Sequence, residues 1–267
     1  MTHFKWKMKS LVCVAVISLL QLASPPSTAA LTFHKVFSPG GKTSLEVRNE
    51  NDGSLTFSVE HDGESVIQNG TMGLVTEAYD LSSHLWFDSE EQRTVEQNYV
   101  LSQHFNGPVR SSAQEMTLKY HRGQATLAID IRAHDEGIAF RYRVSGLGKT
   151  RVVREQTRFT FPEETGIWAS PYRQARDYEE AYPYVSAERI EGQHYSLPVL
   201  ASIRNNRMWS LVTEAGTYVH PTYPASHLRG VSTSKRSFEF RLPGPDESPT
   251  TDQDEKTTFL TGESLQT

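Results

Sequence analysis

From Ser44 to Ile67 the chain reads SLEVRNENDGSLTFSVEHDGESVI, and two features of that stretch restrict its fold more than anything else in the sequence. Apolar residues recur at every second position, Leu45 and Val47 in one run and Leu55, Phe57 and Val59 in the next. A strand sends successive side chains to opposite faces, so a period of two marks a strand with one buried face. Asp52-Gly53 and Asp62-Gly63 separate the runs. Asp-Gly between alternating segments is a hairpin signal, so the stretch reads as a β-meander. The same pattern returns at Met116 to Tyr120, Ala125 to Ile131, Ile138 to Val144, Arg158 to Phe161, Leu197 to Ile203, Met208 to Thr213 and Phe238 to Leu242. No amphipathic helical period competes with it. The expected fold is all-β, a large antiparallel β-sandwich with few or no helices, apolar between its sheets and wet outside.

The two ends differ from this body. The first thirty residues place Lys5, Lys7 and Lys9 ahead of an apolar run from Leu11 to Leu20 and small residues from Ser27 to Ala30 behind it. That is the layout of a secretory signal peptide, cleaved near Ala29 or Ala30. An apolar run of roughly ten residues is too short to cross a hydrocarbon core of about 30 Å, so no membrane association is expected after cleavage. The expected location is periplasmic or secreted. The only cysteine, Cys13, lies in this leader, so the exported chain has no disulfide, cysteine nucleophile or thiolate metal site. Subtracting the leader's three lysines from 27 Lys plus Arg leaves 24 against 32 Asp plus Glu, a formal charge of -8. Such a surface repels phosphate backbones, which argues against nucleic acid as a partner. The segment 243–267 is rich in Pro, Asp, Glu, Ser and Thr, with one apolar pair at Phe259-Leu260. It is expected to be a polar, disordered tail, since it offers too little apolar area to offset the entropy of ordering. The sandwich domain is therefore placed at residues 31–242.

Motif searches exclude several chemistries: the sequence has no Gly-rich phosphate loop, no His-Glu-x-x-His pair and no Gly-x-Ser-x-Gly elbow. The densest chemical feature is WASPYRQARDYEEAYPY, Trp168 to Tyr184, which mixes rings and charges without β alternation and reads as a long loop. Acids bind sugar hydroxyls and flat rings stack on pyranose faces, so the loop fits carbohydrate contact; it equally fits a flap whose rings cover the sandwich edge. Glu214, directly after the strand from Met208 to Thr213, is a second acid placed at a strand end.

In order along the chain, SPGGKTSLEV, DGSLTFSVEHDGESVI, DEGIAFRYRV, REQTRFTFPEE with Trp168 behind it, DYEEAY, SLPVL and SLVTEAGTY resemble the amino-terminal domain of glycoside hydrolase family 97. The resemblance covers Ser38 to Tyr218 and implies a galactose-mutarotase-like β-supersandwich, followed in the family by a catalytic (β/α)8 barrel. It implies an α-glycosidase setting, with α-glucosides or α-galactosides as the carbohydrate, Trp168, Tyr178 and Tyr182 as substrate-binding residues, and calcium near the site. It assigns Glu179 as the calcium ligand lent by this domain, or Glu180 if the loop shifts by one, and it places Glu214 toward the domain junction. Calcium takes six to eight oxygen ligands, so one carboxylate cannot hold it; the ion is expected only with the barrel present.

A barrel needs roughly 200 further residues, and the Thr-Pro-Trp-Arg type of segment that leads to it has no counterpart after Pro243. The expectation is a truncated chain: an exported carbohydrate-binding or barrel-supporting domain, related to glycoside hydrolases, without hydrolysis of its own and with no catalytic residue. The alternative is the functional part of an α-glycosidase completed by a separately encoded barrel. A third reading is an unrelated enzyme using Asp177, Glu179 or Glu180 as acids. In DEGIAFRYRV, Gly137 is expected at positive φ in the turn. Ile138, Phe140 and Tyr142 are expected to face the core, and Arg141 and Arg143 to pair with acids on neighbouring strands.

Overall fold

The structure, a computed structural model, describes residues 32–100, 107–148, 150–173, 180–215, 226–231 and 235–242. The leader, the polar tail, Asp177, Tyr178 and Glu179 lie outside the described residues.

The chain opens with a meander of β1 (Thr32–Phe37), β2 (Thr43–Asn49), β3 (Leu55–His61) and β4 (Glu64–Met72). After the short β5 (Leu74–Thr76) and β6 (Asp80–Leu81) comes a second meander of β7 (Trp86–Val100), β8 (Pro108–Arg122), β9 (Ala125–His134) and β10 (Gly137–Ser145). Then follow β11 (Val152–Glu155), β12 (Arg158–Thr160), β13 (Gly166–Trp168) and β14 (Tyr184–Val185). The last five are β15 (His194–Tyr195), β16 (Val199–Ile203), β17 (Met208–Val212), β18 (His227–Gly230) and β19 (Ser237–Arg241). Among the described residues the only helix is a single 3-10 turn, Ala187–Arg189. No described helix is long and apolar enough to cross a membrane.

Every ladder between named strands is antiparallel. One sheet runs β1-β2-β3-β4-β12-β19-β18-β15 and another β10-β9-β8-β7; β11-β5-β6 and β14-β13-β16-β17 form two smaller ones. The first two face each other across the core: Phe57 of β3 meets Phe140 of β10 edge-on at 5.7 Å, and His34 of β1 lies against Phe87 of β7 at 4.4 Å. Between them sit Leu45, Val47, Leu55, Met116, Leu118, Leu127, Ile129 and Ile131, all buried. The expected antiparallel sandwich is the fold observed.

Local turn chemistry explains the first register. Asp62 and Gly63 take φ of 48° and 75° and close β3 onto β4 in two residues, with His61 opposite Glu64. Positive φ at both positions is what a type I′ turn needs, and Gly supplies it without steric cost. Gly137 is a correction: it is the first residue of β10, opposite His134, and is not among the residues at positive φ. The two-residue connection is Asp135-Glu136, and nothing lies within 4 Å of where a Gly137 side chain would begin.

β10 itself alternates as expected. Phe140 and Tyr142 turn inward, the Tyr142 hydroxyl meeting Thr157 Oγ1 at 2.8 Å. On the opposite face Arg141 and Arg143 converge on Asp130 of β9, which is 6% exposed. Arg141 Nε donates at 3.0 Å, Arg143 donates twice at 2.7 Å, and Thr117 Oγ1 donates at 2.9 Å. Burial alone would raise the Asp130 pKa, but these bonds outweigh it and hold the carboxyl at about 2.

Two strands escape the period-two reading. β1 buries His34 and exposes Phe33 and Phe37, because His34 Nδ1 donates to Glu90 Oε2 at 2.6 Å. Among the described residues β7 has β8 as its one neighbour and stands at the edge of its sheet; it is mostly exposed along its 15 residues and carries charges that pair across the ladder, such as Lys119 with Glu91 at 2.9 Å. An edge of that length covered in charge resists pairing with other chains.

Candidate functional site

The loop singled out by its composition is gripped at its neck. Trp168 ends β13 and Tyr184 begins β14, and the two are direct cross-strand partners. The Ala169 N–H donates to the Pro183 carbonyl at 3.3 Å just beyond them. The first limb is tied down as well: Ser196 N–H donates to Ser170 O at 2.9 Å, and Tyr172 N–H to His194 O at 2.9 Å. Across the loop, Arg173 Nε and Glu180 Oε1 form an ion pair at 2.8 Å. The loop therefore leaves a rigid sheet at a fixed point.

At that point the structure assembles three rings. Ile167, Val199, Ala201 and Ile203 point into the core, which sends Trp168, Tyr184 and, from β17, Trp209 to the outer face. Trp168 lies 5.4 Å from Tyr184, edge-on at 72°, and 5.4 Å from Trp209, tilted at 38°. Tyr184 is 61% exposed, Trp209 52% and Leu211 beside it 58%. Gly166 makes room for the cluster: a Cβ there would stand 3.2 Å from the Trp168 ring and 3.4 Å from that of Tyr184. The outward positions on these four strands carry no charge, so the rings sit on an uncharged, partly exposed face.

Of the residues expected from sequence, Trp168 is at the centre of this face. Tyr182 is on the returning limb, 42% exposed, but the ring against Trp168 is that of Tyr184. Tyr178 and Glu179 lie outside the described residues. Sequence reasoning missed Tyr184 and Trp209 as members of the cluster. The available signal was in β17, MWSLV, which is apolar on both faces: Met208 and Val212 pack toward the core, leaving Trp209 and Leu211 outside.

Glu214 acts as a clasp. Its carboxylate accepts from the Ser226 N–H at 2.8 Å and from the Ser226 hydroxyl at 2.7 Å, tying the end of β17 to the start of β18. Among the described residues no group of three or more His, Cys, Asp or Glu side chains could hold a metal ion, so they do not by themselves fit a calcium site. Glu180, the second choice for calcium, faces Arg173.

A family model described as Glycosyl-hydrolase 97 N-terminal matches residues 36–258. The chain belongs to this family. A protein of Streptomyces bingchenggensis (strain BCW-1) named "Probable retaining alpha-galactosidase" is 28% identical over 213 residues, which is 77% of this chain and 32% of that protein. The crystal structure of a beta-arabinopyranosidase superposes with a TM-score of 0.71 at 27% identity, covering 79% of this chain and 35% of that one. A family 97 enzyme of Pseudoalteromonas sp. strain K8, solved in complex with acarbose, gives 0.68 at 20% identity over 78% of this chain and 32% of that one, a likeness of fold. The glycosyl-hydrolase 97 N-terminal domain thus spans about a third of the length of the relatives it matches.

Proposed function

We propose that this chain is the non-catalytic sandwich of an exported α-glycosidase system, presenting the Trp168 face and its loop to α-glucosides or α-galactosides at the border with a catalytic (β/α)8 barrel. The observation that carries the reading is the uncharged ring cluster of Trp168, Tyr184 and Trp209 at the neck of the loop. Exposed rings on a rigid sheet offer apolar area to the C–H faces of pyranoses at little cost in side-chain entropy. Membership of a glycoside hydrolase family supports the carbohydrate class. Bond cleavage needs two carboxylates facing each other across the glycosidic bond, and that pair is assigned to the barrel. Tyr178 and Tyr182 extend the sugar-facing surface in this reading, and Glu179 lends the barrel's calcium one carboxylate. The barrel is supplied by a second coding region in one version of the proposal.

Tryptophan emission titrated with maltotriose and with raffinose tests the reading. The expected result is a saturable change for at least one sugar, lost in Trp209→Ala and in Trp168→Ala and kept in Trp86→Ala. An unchanged emission with both sugars would refute it.

A further inference from the structure

On the other side of the loop's first limb, a cleft of about 550 Å³ opens between residues 169–171, 183–185 and 189–195. Its lining is mixed in chemistry. Pro171, Pro183, Val185 and the buried Tyr195 supply its apolar lining, and the exposed Arg189, Glu191 and Gln193 its polar lining. Among the described residues none of these three polar side chains is engaged in a hydrogen bond or ion pair, and all are exposed.

The cleft is held open by backbone. Glu191 forms a parallel bridge with Gly230, Gly192 N–H donates to Gly230 O at 3.0 Å, and Gly230 N–H donates to Gln193 O at 2.9 Å. Gln193 N–H donates to Ile190 O at 3.1 Å, and Ile190 is 1% exposed. The approach at Gly230 is so close that a Cβ there would lie 1.9 Å from Ile190 O. Opposite, Pro171 bridges Tyr195. His194, an exposed residue of the cleft lining, is fixed by a 2.8 Å contact of its Nδ1 with Nε2 of the buried His227, on which the Tyr172 ring stacks at 4.0 Å. An open cleft of this size, lined by apolar and polar side chains together, offers both kinds of contact to a small polar ligand.

Charge narrows the ligand. Arg189 and Glu191 oppose each other in sign, so the polar lining favours neither an anion nor a cation. An uncharged ligand with many hydroxyls matches it, because each hydroxyl both donates and accepts and can serve the guanidinium, the carboxylate and the amide together. The apolar lining calls for a ring with a C–H face. From these features we infer that the cleft binds a neutral monosaccharide or disaccharide, independently of the Trp168 face. The inference rests on the carbohydrate class proposed above; the cleft uses the two limbs of the loop at Ala169, Pro171 and Pro183 but none of the rings of Trp168, Tyr184 and Trp209.

Amide and indole NMR shifts of the full 15N-labelled chain, titrated with maltose and with melibiose, separate the two. The expected result is saturation at roughly millimolar sugar, with the largest shifts at Gly192, Gln193, His194 and Gly230. The affinity should fall about tenfold in Glu191→Gln and in Gln193→Ala, and glucosamine or glucose 1-phosphate should bind at least tenfold more weakly. Shifts confined to the Trp168 and Trp209 indoles would overturn the cleft site while upholding the proposed function. Silence at both places would overturn both, and shifts at the cleft alone would uphold this site against the other.

Discussion

Asp130→Asn removes one charge from the outer face of β9 and leaves the shape of the side chain intact. Asp130 receives four hydrogen bonds, from Thr117, Arg141 and twice from Arg143, and they hold its pKa at about 2 against a reference value of 3.8. That depression corresponds to about 2 kcal/mol of stability at neutral pH. Both arginines are partly exposed and gain water when the carboxylate is lost, which limits the damage to roughly that figure. For a domain of this size about 2 kcal/mol lowers Tm by roughly 4–8 °C. The sign with pH follows from the direction of the shift. A carboxyl depressed in the fold stabilises while it is ionised there, so the contribution is complete above about pH 4 and disappears as pH falls through about 2. Circular-dichroism melts of the wild type and the variant should therefore show a gap at pH 7 that closes toward pH 2. A gap of equal size at both pH values, or none at pH 7, would refute the assignment of the stabilisation to Asp130.

Three further expectations can be checked with the same material. Glu155 is desolvated, with Glu214 adding to and Thr157 opposing the effect, and its pKa rises to about 7 from 4.5. Its raised value means that stability declines as pH climbs from about 4.5 through 7; Glu155→Gln should be level with the wild type at pH 4 and melt higher at pH 8. Gly230→Ala should cost about 1–3 kcal/mol by pushing on the Ile190 carbonyl, read as a lower urea midpoint with unchanged slope. Trp209→Ala removes a half-exposed ring, so it should shift stability by less than about 1 kcal/mol while abolishing the emission response to sugar; a large loss of stability would place the ring in the core instead.

How far the sequence could be read depended on which physical signal each element carries. Alternation located β2, β3, β9, β10, β16 and β17 because in each the apolar residues of one parity pack toward the core. It failed at β1, where a hydrogen-bonded His34 takes a core position, and at β7, whose edge placement removes the need for an apolar face. β14, β15 and β18 are two to four residues long, too short for any period to show. At the site, the density of rings and acids from Trp168 onward was legible as composition. The cluster itself was not, because Tyr184 reaches Trp168 through strand pairing, and Trp209 through a hairpin some forty residues downstream. The cleft was illegible for the same reason: its two walls meet only because Pro171 bridges Tyr195 and Glu191 bridges Gly230.

The separation of sugar contact from bond cleavage is tested most directly by assaying the purified chain, with and without added calcium, for release of p-nitrophenol from its α-glucoside and α-galactoside. A carbohydrate-facing sandwich without the barrel's carboxylate pair should release none above a heat-denatured blank in either condition. Steady turnover by the chain alone would contradict it and would move the search for an acid pair to Asp177, Glu179 and Glu180.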